Sequence, residues 1–111
     1  MRIYKILPRA EWEAARALGR FMGSALDRQD GFIHFSTAAQ AQETAARHFA
    51  GQADLVVLAV ESDDLAQIRW EVSRGGDLFP HLYGPLVADR VVAVTEAPLG
   101  EDGVPELGLL A

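Results

Sequence analysis

One stretch of the sequence is apolar without interruption: Leu-Val-Val-Leu-Ala-Val at residues 55–60. A strand with one face in water alternates apolar and polar residues, whereas a strand covered on both faces reads as a continuous apolar run. A second run of this kind follows at residues 91–94. We therefore predict that both runs are central strands of a sheet, with other elements packed on each face.

The first 36 residues predict a strand, a helix and a second strand. Residues 2–7 alternate well enough for a short strand, and residues 8–18 predict a helix that begins at a proline, a residue suited to a first helical turn. Its apolar face would hold Trp12, Ala15 and Leu18. Residues 21–30 are expected to be irregular chain that ends in a turn, and residues 32–36 predict the second strand.

The next helix has a clear beginning in the sequence. Thr37 followed three residues later by Gln40 forms a capping box, which predicts a helix that runs to about Phe49. Small residues at helical spacing supply its buried stripe, so it can lie close against a sheet. These residues, with the aromatic at the end, are Ala38, Ala41, Ala45 and Phe49.

The last third of the chain predicts one strand and two less regular segments. Residues 68–72 alternate, which would bury Ile68, Trp70 and Val72 and leave Arg69 and Glu71 on the opposite face. Residues 79–85 contain two prolines and a glycine, which predict a stiff, packed loop. Residues 98–111 carry a turn signal at 102–103 and are expected to fold back or lie along the surface.

Length and composition limit the possible functions. A chain of 111 residues predicts a single domain, residues 1–111, and without a long apolar stretch or a signal-peptide pattern we expect it to be cytoplasmic and free of membrane. The formal net charge is −6 and the ten basic residues are dispersed, which opposes binding to duplex nucleic acid. There is no cysteine, so thiolate chemistry is excluded. A small anionic ligand remains possible, because a few arginines around a cleft act locally.

Two segments each place a histidine among large apolar residues: GFIHFST at residues 31–37 and FPHLYGP at residues 79–85. A histidine in such surroundings needs hydrogen-bond partners or loses its charge, so each ring is either tied down or poised for binding and proton chemistry. Strand alternation puts His34 and Ser36 on one face. We predict that both segments form the wall of a cleft.

Several stretches together resemble a known family. They are IYKI at residues 3–6, Trp12, DGFIHFST at residues 30–37, LVVL at residues 55–58 and, above all, FPHLYGPL at residues 79–86. In this order and over nearly the whole chain, they resemble domain-of-unknown-function family 952, an uncharacterised and mainly bacterial family. The resemblance implies an α+β fold like that of the ADP-ribosyltransferases, with split antiparallel sheets and helices packed around an NAD-binding cleft.

The resemblance also implies roles for particular residues. Lys5 would occupy the position that holds the nicotinamide ribose, where many relatives are expected to have histidine, and a flexible lysine is not equivalent to a fixed imidazole. His34 with Ser36 would take the second ribose-binding position. Glu71 would be the acidic group that stabilises the positive charge on the ribose when the glycosidic bond breaks. The catalytic candidates are therefore Glu71 and His34.

The remaining candidates would bind the cofactor-like ligand, NAD or a related nucleotide. His81 lies in the second histidine segment, and Tyr83 or Phe79 could stack on a nicotinamide or adenine ring, which leaves Arg69 or Arg74 for phosphate. The predicted ligand-binding set is Lys5, His34, Ser36, His81 and Tyr83. Transfer of ADP-ribose is a possible activity, and binding alone is the simpler one.

Each of these residues also has a purely structural interpretation. His34 and His81 can be satisfied by neighbouring backbone, Thr37 caps a helix, and Glu71 beside Arg69 can be a solvated strand face. In the alternative function, the chain is a non-catalytic module that binds another small ligand or a protein segment. A metal site built from His34, His81 and Glu71 is conceivable, but no local spacing brings the three together, so we predict no metal.

Overall fold

The computed structural model describes residues 1–110 and has an α+β architecture with three helices and antiparallel sheets. The helices are α1 (Arg9–Leu18), α2 (Ala25–Asp30) and α3 (Ala38–His48). The strands are β1 (Arg2–Pro8), β2 (Arg20–Phe21), β3 (Ile33–His34), β4 (Leu55–Glu61), β5 (Ile68–Val72), β6 (Leu78–Leu82), β7 (Leu86–Val87) and β8 (Val91–Ala97). Short 3₁₀ turns lie at Ser62–Asp64, Arg74–Gly76 and Ala88–Arg90.

The first sheet has the order β1-β4-β8, and β4 lies in its centre. Trp12 and Ala15 of α1 pack with Val56 and Leu58 on one face of the sheet. Ala41 and Ala45 of α3, both without exposed surface, pack with β4 residues on the other face. The prediction that residues 55–60 form a central strand covered on both sides is therefore confirmed, and its continuous apolar sequence reflects these two layers.

The second predicted central strand is at an edge. β8 pairs only with β4, and its residues alternate between partly buried and exposed, with Val92 49% and Val94 44% exposed. The prediction for residues 91–94 was wrong because β-branched residues suit a half-buried edge as well as a buried centre, and only the pairing partner distinguishes the two.

The second sheet has the order β3-β6-β5, and its central strand is the segment predicted to be a loop. Pro80 pairs with Trp70 on one side, and its carbonyl accepts the N–H of Phe35 at 3.0 Å on the other. In an antiparallel strand the nitrogen of Pro80 faces the same side as its carbonyl, and there β3 pairs only through Ile33 and His34. No ladder partner therefore needs the N–H that proline lacks.

β5 is an edge strand, which changes the burial predicted for its residues. Ile68 is partly buried, but Trp70 is 38% and Val72 71% exposed. The prediction that all three are buried was wrong for the last two, because the core under this sheet ends near Ile68. Leu18 of α1 and Ala38 of α3 are likewise exposed, although each was expected on a buried face.

Residues 21–30, expected to be irregular, contain the end of β2 and the helix α2. Ser24 caps α2, and its backbone N–H donates to Oδ2 of Asp27 at 2.9 Å. β3 is shorter than the predicted strand over residues 32–36, because after His34 the chain turns from β6 towards β1. At the end of the described chain, Leu99 bridges Pro105 and Leu107 is buried, so this segment folds back as expected.

The capping box of α3 is confirmed: the N–H of Thr37 donates to Oε1 of Gln40 at 3.0 Å. Just before this helix, the two larger sheets are joined by an isolated bridge between Tyr4 and Ser36. Its backbone hydrogen bonds are 2.8 and 2.9 Å long. The bridge sets Lys5 of β1 beside the segment that carries His34. Within residues 1–110, no helix has the length and apolarity needed to cross a membrane.

Candidate functional site

A cavity of about 850 Å³ opens where the two larger sheets meet α2 and α3. Lys5, His34, Ser36 and His81, four of the predicted ligand-binding residues, line it. Glu71 and Tyr83 do not line it. The structure therefore brings most of the predicted set to one cavity, and it places the predicted catalytic glutamate outside.

A buried ion pair forms one wall of this cavity. Nζ of Lys5 lies 3.0 Å from Oδ1 and 2.8 Å from Oδ2 of Asp27. The two residues are 6% and 2% exposed, and 22 residues of sequence separate them. Strand alternation puts Lys5 on the same face of β1 as Ile3 and Leu7, so its charge needs a partner inside the protein. α2 supplies that partner.

Asp27 also holds His34. Its Oδ1 accepts the backbone N–H of His34 at 3.1 Å and lies 2.6 Å from the ring Nδ1. The other ring nitrogen, Nε2, lies 2.9 Å from Oδ2 of Asp30. Both nitrogens of His34 therefore face carboxylate oxygens, which fixes the ring and leaves neither nitrogen free to accept a hydrogen bond from a ligand.

Burial and these contacts act in opposite directions on Asp27. Burial would raise its pKa, but the hydrogen bond from His34, the charge and hydrogen bond of Lys5 and the N–H of Ser24 together lower the pKa to about 2. Burial lowers the pKa of Lys5, and the Asp27 carboxylate counteracts that effect. The close contacts of both oxygens show that the pair is held as ammonium and carboxylate.

Sequence reasoning missed Asp27. The available signal was Ser24-x-x-Asp27, an N-terminal capping pattern in which an acidic residue stands three positions after serine. This pattern predicts α2 and places Asp27 in its first turn. It does not show that Lys5 and His34 converge on the same carboxylate, because both lie on other elements.

A second wall carries hydroxyl groups and a guanidinium. Oγ of Ser36 lies 2.9 Å from Oγ1 of Thr44, which also accepts a hydrogen bond from Nη2 of Arg74 at 3.2 Å. The Arg74 guanidinium lies over the ring of Phe79, 4.8 Å from its centroid, and 3.5 Å from Glu43. Arg74 is therefore held at the cavity by stacking and by a hydrogen bond.

Two further basic residues of α3 line this end of the cavity, Arg47 and His48. Burial lowers the pKa of His48, and the positive charges of Arg74, His34 and Arg47 lower it further. Arg47 and Arg74 therefore bring positive charge to this end of the cavity, and the pKa of His48 is shifted towards the uncharged ring. His48 lies at the end of α3, where it is exposed and also lines the cavity.

His81 connects the cavity to Glu71. Nδ1 of His81 lies 2.8 Å from Oε1 of Glu71, and the same oxygen accepts the hydroxyl of Tyr83 at 2.7 Å. The hydrogen bonds from Tyr83 and His81 lower the pKa of Glu71, and the pKa of Tyr83 is raised in return. Glu71 thus contacts His81 from the side away from the cavity, whereas Tyr83 is covered by Arg69, 4.8 Å from the ring centroid.

Phe32 packs the two histidines together. Its ring stacks on His81 with centroids 4.0 Å apart and lies 4.5 Å from His34, and the two histidine rings are 5.6 Å apart. The two histidine segments therefore pack against each other through these three rings. Among residues 1–110, no three histidine or carboxylate side chains are arranged to hold a metal ion.

The fold and site define a small α+β protein with a cavity, lined by charged and apolar residues, between two antiparallel sheets. The chain belongs to the family described as "Protein of unknown function (DUF952)", whose model matches residues 6–94. This confirms the family that the sequence motifs indicated.

Solved structures of a relative support the same assignment. A crystal structure of protein CC0527 from Caulobacter crescentus is 58% identical, has a TM-score of 0.94, and covers 96% of this chain and 95% of its own. A solution NMR structure of CC0527 is 59% identical in sequence and has a TM-score of 0.86. The match covers 96% of this chain and 93% of the CC0527 chain. No curated protein matches this chain.

Proposed function

We propose that the cavity binds a small phosphate-bearing metabolite of the nucleotide class, such as NAD or ADP-ribose. The observation that carries this proposal is the convergence of the Arg47 and Arg74 guanidinium groups on one end of the cavity, beside the imidazole of His48 and the hydroxyls of Ser36 and Thr44. Cationic groups that face one another around a cavity are stabilised by an anion between them. A phosphate provides several acceptor oxygens for the guanidinium donors of Arg47 and Arg74.

Arg74 is suited to this role because it is oriented before a ligand arrives. A guanidinium has five N–H donors. In Arg74, a single nitrogen, Nη2, contacts both the Thr44 hydroxyl and the carboxylate of Glu43. Stacking on Phe79 fixes its plane. Donors therefore remain for a bidentate contact with phosphate, and little side-chain entropy is lost when it forms.

The size of the cavity agrees with a small ligand. Its volume of about 850 Å³ lies in the range of small-molecule and cofactor sites. Antiparallel sheets that meet at a cavity are compatible with the expected ADP-ribosyltransferase-like arrangement.

Binding is the function we propose, rather than ribosyl transfer. Transfer needs a carboxylate at the ribose carbon, and Glu71 does not line the cavity but bonds to His81 and Tyr83. The carboxylates that do line it already have partners: Asp27 has Lys5, His34 and Ser24, Asp30 has His34, and Glu11 has the hydroxyl of Ser24. Catalysis by Glu71 or His34 stays a prediction that nicotinamide release from NAD would test.

Isothermal titration calorimetry with NAD, ADP-ribose, AMP and adenosine tests the proposal. The three phosphate-bearing compounds should bind and adenosine should bind much more weakly. Arg74→Gln should weaken their binding by about tenfold or more, since charge-assisted hydrogen bonds are among the strong ones. Arg16→Gln is the matched control, because Arg16 lies on the exposed surface of α1 and contacts Glu13.

Absence of binding by all three compounds would reject the proposal and favour the alternative of a module for another ligand or a protein segment. Equal binding of AMP and adenosine would reject the phosphate site. Loss of affinity in Arg16→Gln as large as in Arg74→Gln would show that net charge, and not the cavity, controls binding.

A further inference from the structure

The two histidines in the cavity wall differ in what their ring nitrogens can do. Both nitrogens of His34 are held by carboxylates, Nδ1 by Asp27 and Nε2 by Asp30. His81 has a carboxylate at Nδ1 only, where Glu71 lies 2.8 Å away. The two rings are neighbours, with centroids 5.6 Å apart. Of the two, only His81 has a ring nitrogen without a partner in the described part of the chain, Nε2.

Glu71 determines which nitrogen of His81 carries the proton. An ionised carboxylate only accepts hydrogen bonds, so the contact requires a proton on Nδ1. In an uncharged imidazole the other nitrogen then carries a lone pair. The lowered pKa of Glu71 agrees with an ionised acceptor. In the uncharged ring, Nε2 of His81 is therefore a hydrogen-bond acceptor, the opposite of the donors that Arg74 presents.

His81 lines the cavity, and Nε2 is its ring nitrogen without a partner among the described residues. Within residues 1–110, Nε2 of His81 has no hydrogen-bond partner, whereas the side-chain nitrogens and oxygens that are closed to solvent in that part of the chain all have one. The residue is only 5% exposed and lines the cavity. Because Nε2 is neither closed to solvent nor bonded, it is the ring nitrogen of His81 that is open to a ligand.

We propose that Nε2 of His81 accepts a hydrogen bond from a hydroxyl group of the bound ligand, and that Glu71 is the positioning residue that fixes its tautomer. Stacking on Phe32, with ring centroids 4.0 Å apart, holds the plane of the ring. This inference rests on the proposed function and narrows it: the ligand carries a hydroxyl donor, as a ribose does, in addition to phosphate. Loss of the acceptor leaves that hydroxyl unpaired in the cavity.

Nitrogen NMR of the labelled protein tests the tautomer without any ligand. At about pH 8, well above the ordinary pKa of histidine, His81 should show a protonated Nδ1 and a bare Nε2. Glu71→Ala should convert it to a mixture of tautomers, whereas Glu71→Gln, whose amide oxygen still accepts, should retain most of the original form. Tyr83→Phe is the matched control, since it removes the other hydrogen bond to Glu71 and should leave the tautomer unchanged.

A pair of ligands tests the hydroxyl. AMP and its 2′,3′-dideoxy analogue carry the same phosphate, so Arg74 should bind both in the same way. They differ only in the two ribose hydroxyls. The wild type should prefer AMP by about threefold to tenfold, the value of one neutral hydrogen bond. In His81→Phe, which can still stack on Phe32, that preference for AMP over its analogue should disappear.

The outcomes separate this inference from the proposed function. A proton on Nε2 of His81, or equal affinity of the wild type for AMP and its analogue, overturns the inference and leaves the phosphate site standing. An undiminished preference in His81→Phe also overturns it. If neither nucleotide binds, the proposed function fails, and the hydroxyl-acceptor role fails with it for ligands of this class.

Discussion

Nζ of Lys5 lies 2.8 Å from Oδ2 of Asp27, and their side chains are 7% and 3% exposed. The contact joins β1 of the first sheet to α2, which would otherwise rest on the surface. The same carboxylate accepts the backbone N–H of His34. One buried ion pair therefore holds the cavity wall and the first histidine segment together.

Replacement of Asp27 by asparagine should destabilise the protein strongly. It leaves Lys5 as an uncompensated buried charge, which typically costs about 3–5 kcal/mol. Urea unfolding followed by circular dichroism measures the change. Asp30→Asn is the control, because Asp30 lies on the same helix but its side chain is 37% exposed, so it should cost less than about 1 kcal/mol. Equal losses in the two variants would contradict a special role for the buried pair.

The stability of the wild type should fall in acid because of Asp27. Its folded pKa of about 2 lies below the ordinary value of 3.8, so the carboxylate stabilises the folded state above pH 4. That contribution, about 2 kcal/mol, is lost as the pH decreases from about 4 to 2. Free energies of unfolding measured across this range should show a steeper decrease in the wild type than in Asp27→Asn. Parallel curves would mean that Asp27 titrates at its ordinary pKa.

The two tryptophans should differ in what their removal costs. Trp12 is 6% exposed and belongs to the core between α1 and the first sheet, so Trp12→Ala should cost about 3–5 kcal/mol. Trp70 is 38% exposed on an edge strand, and Trp70→Ala should cost less than half as much. Chemical denaturation of both variants compares them directly. A larger loss for Trp70 would indicate that β5 is covered in solution.

Replacement of Thr44 by valine should affect both stability and the cavity. It removes the partner of the buried Ser36 hydroxyl and the anchor of Arg74, for a cost of about 1–3 kcal/mol. Thermal unfolding and the affinity for ADP-ribose measure the two effects. Thr95→Val on β8 is the matched control, because it makes the same chemical change away from the cavity. It should change both the unfolding temperature and the affinity for ADP-ribose much less than Thr44→Val does. An unchanged affinity for ADP-ribose in Thr44→Val would contradict the proposal that Arg74, held by Thr44, binds the ligand.

Features that depend on neighbours along the chain were predictable. The capping box at Thr37 and Gln40 is local, and it predicted the start of α3 correctly. The apolar run at residues 55–60 predicted a strand covered on both faces because each face needs its own apolar residues. The motifs around both histidines indicated the family, and four of the proposed ligand-binding residues line one cavity.

Features that depend on strand pairing were not predictable in the same way. The position of β6 in the centre of its sheet despite Pro80 follows from a short neighbour, β3, that needs no N–H at that point. The exposure of Trp70 and Val94 follows from the edge positions of β5 and β8. Alternation along a strand shows which residues share a face, but not whether anything covers that face.

The family, the α+β class and the residue types available for a site all follow from the sequence. Which hydrogen-bond partners these side chains have, and which of their atoms stay free for a ligand, follows only from the tertiary structure. Hydrogen-bond partners come from distant elements: Asp27 reaches Lys5 across 22 residues, and Glu71 reaches His81 across 10. A ring nitrogen can accept a hydrogen bond from a ligand only when no other group is bonded to it. Within residues 1–110, these long-range contacts therefore occupy both ring nitrogens of His34 and leave Nε2 of His81 without a partner.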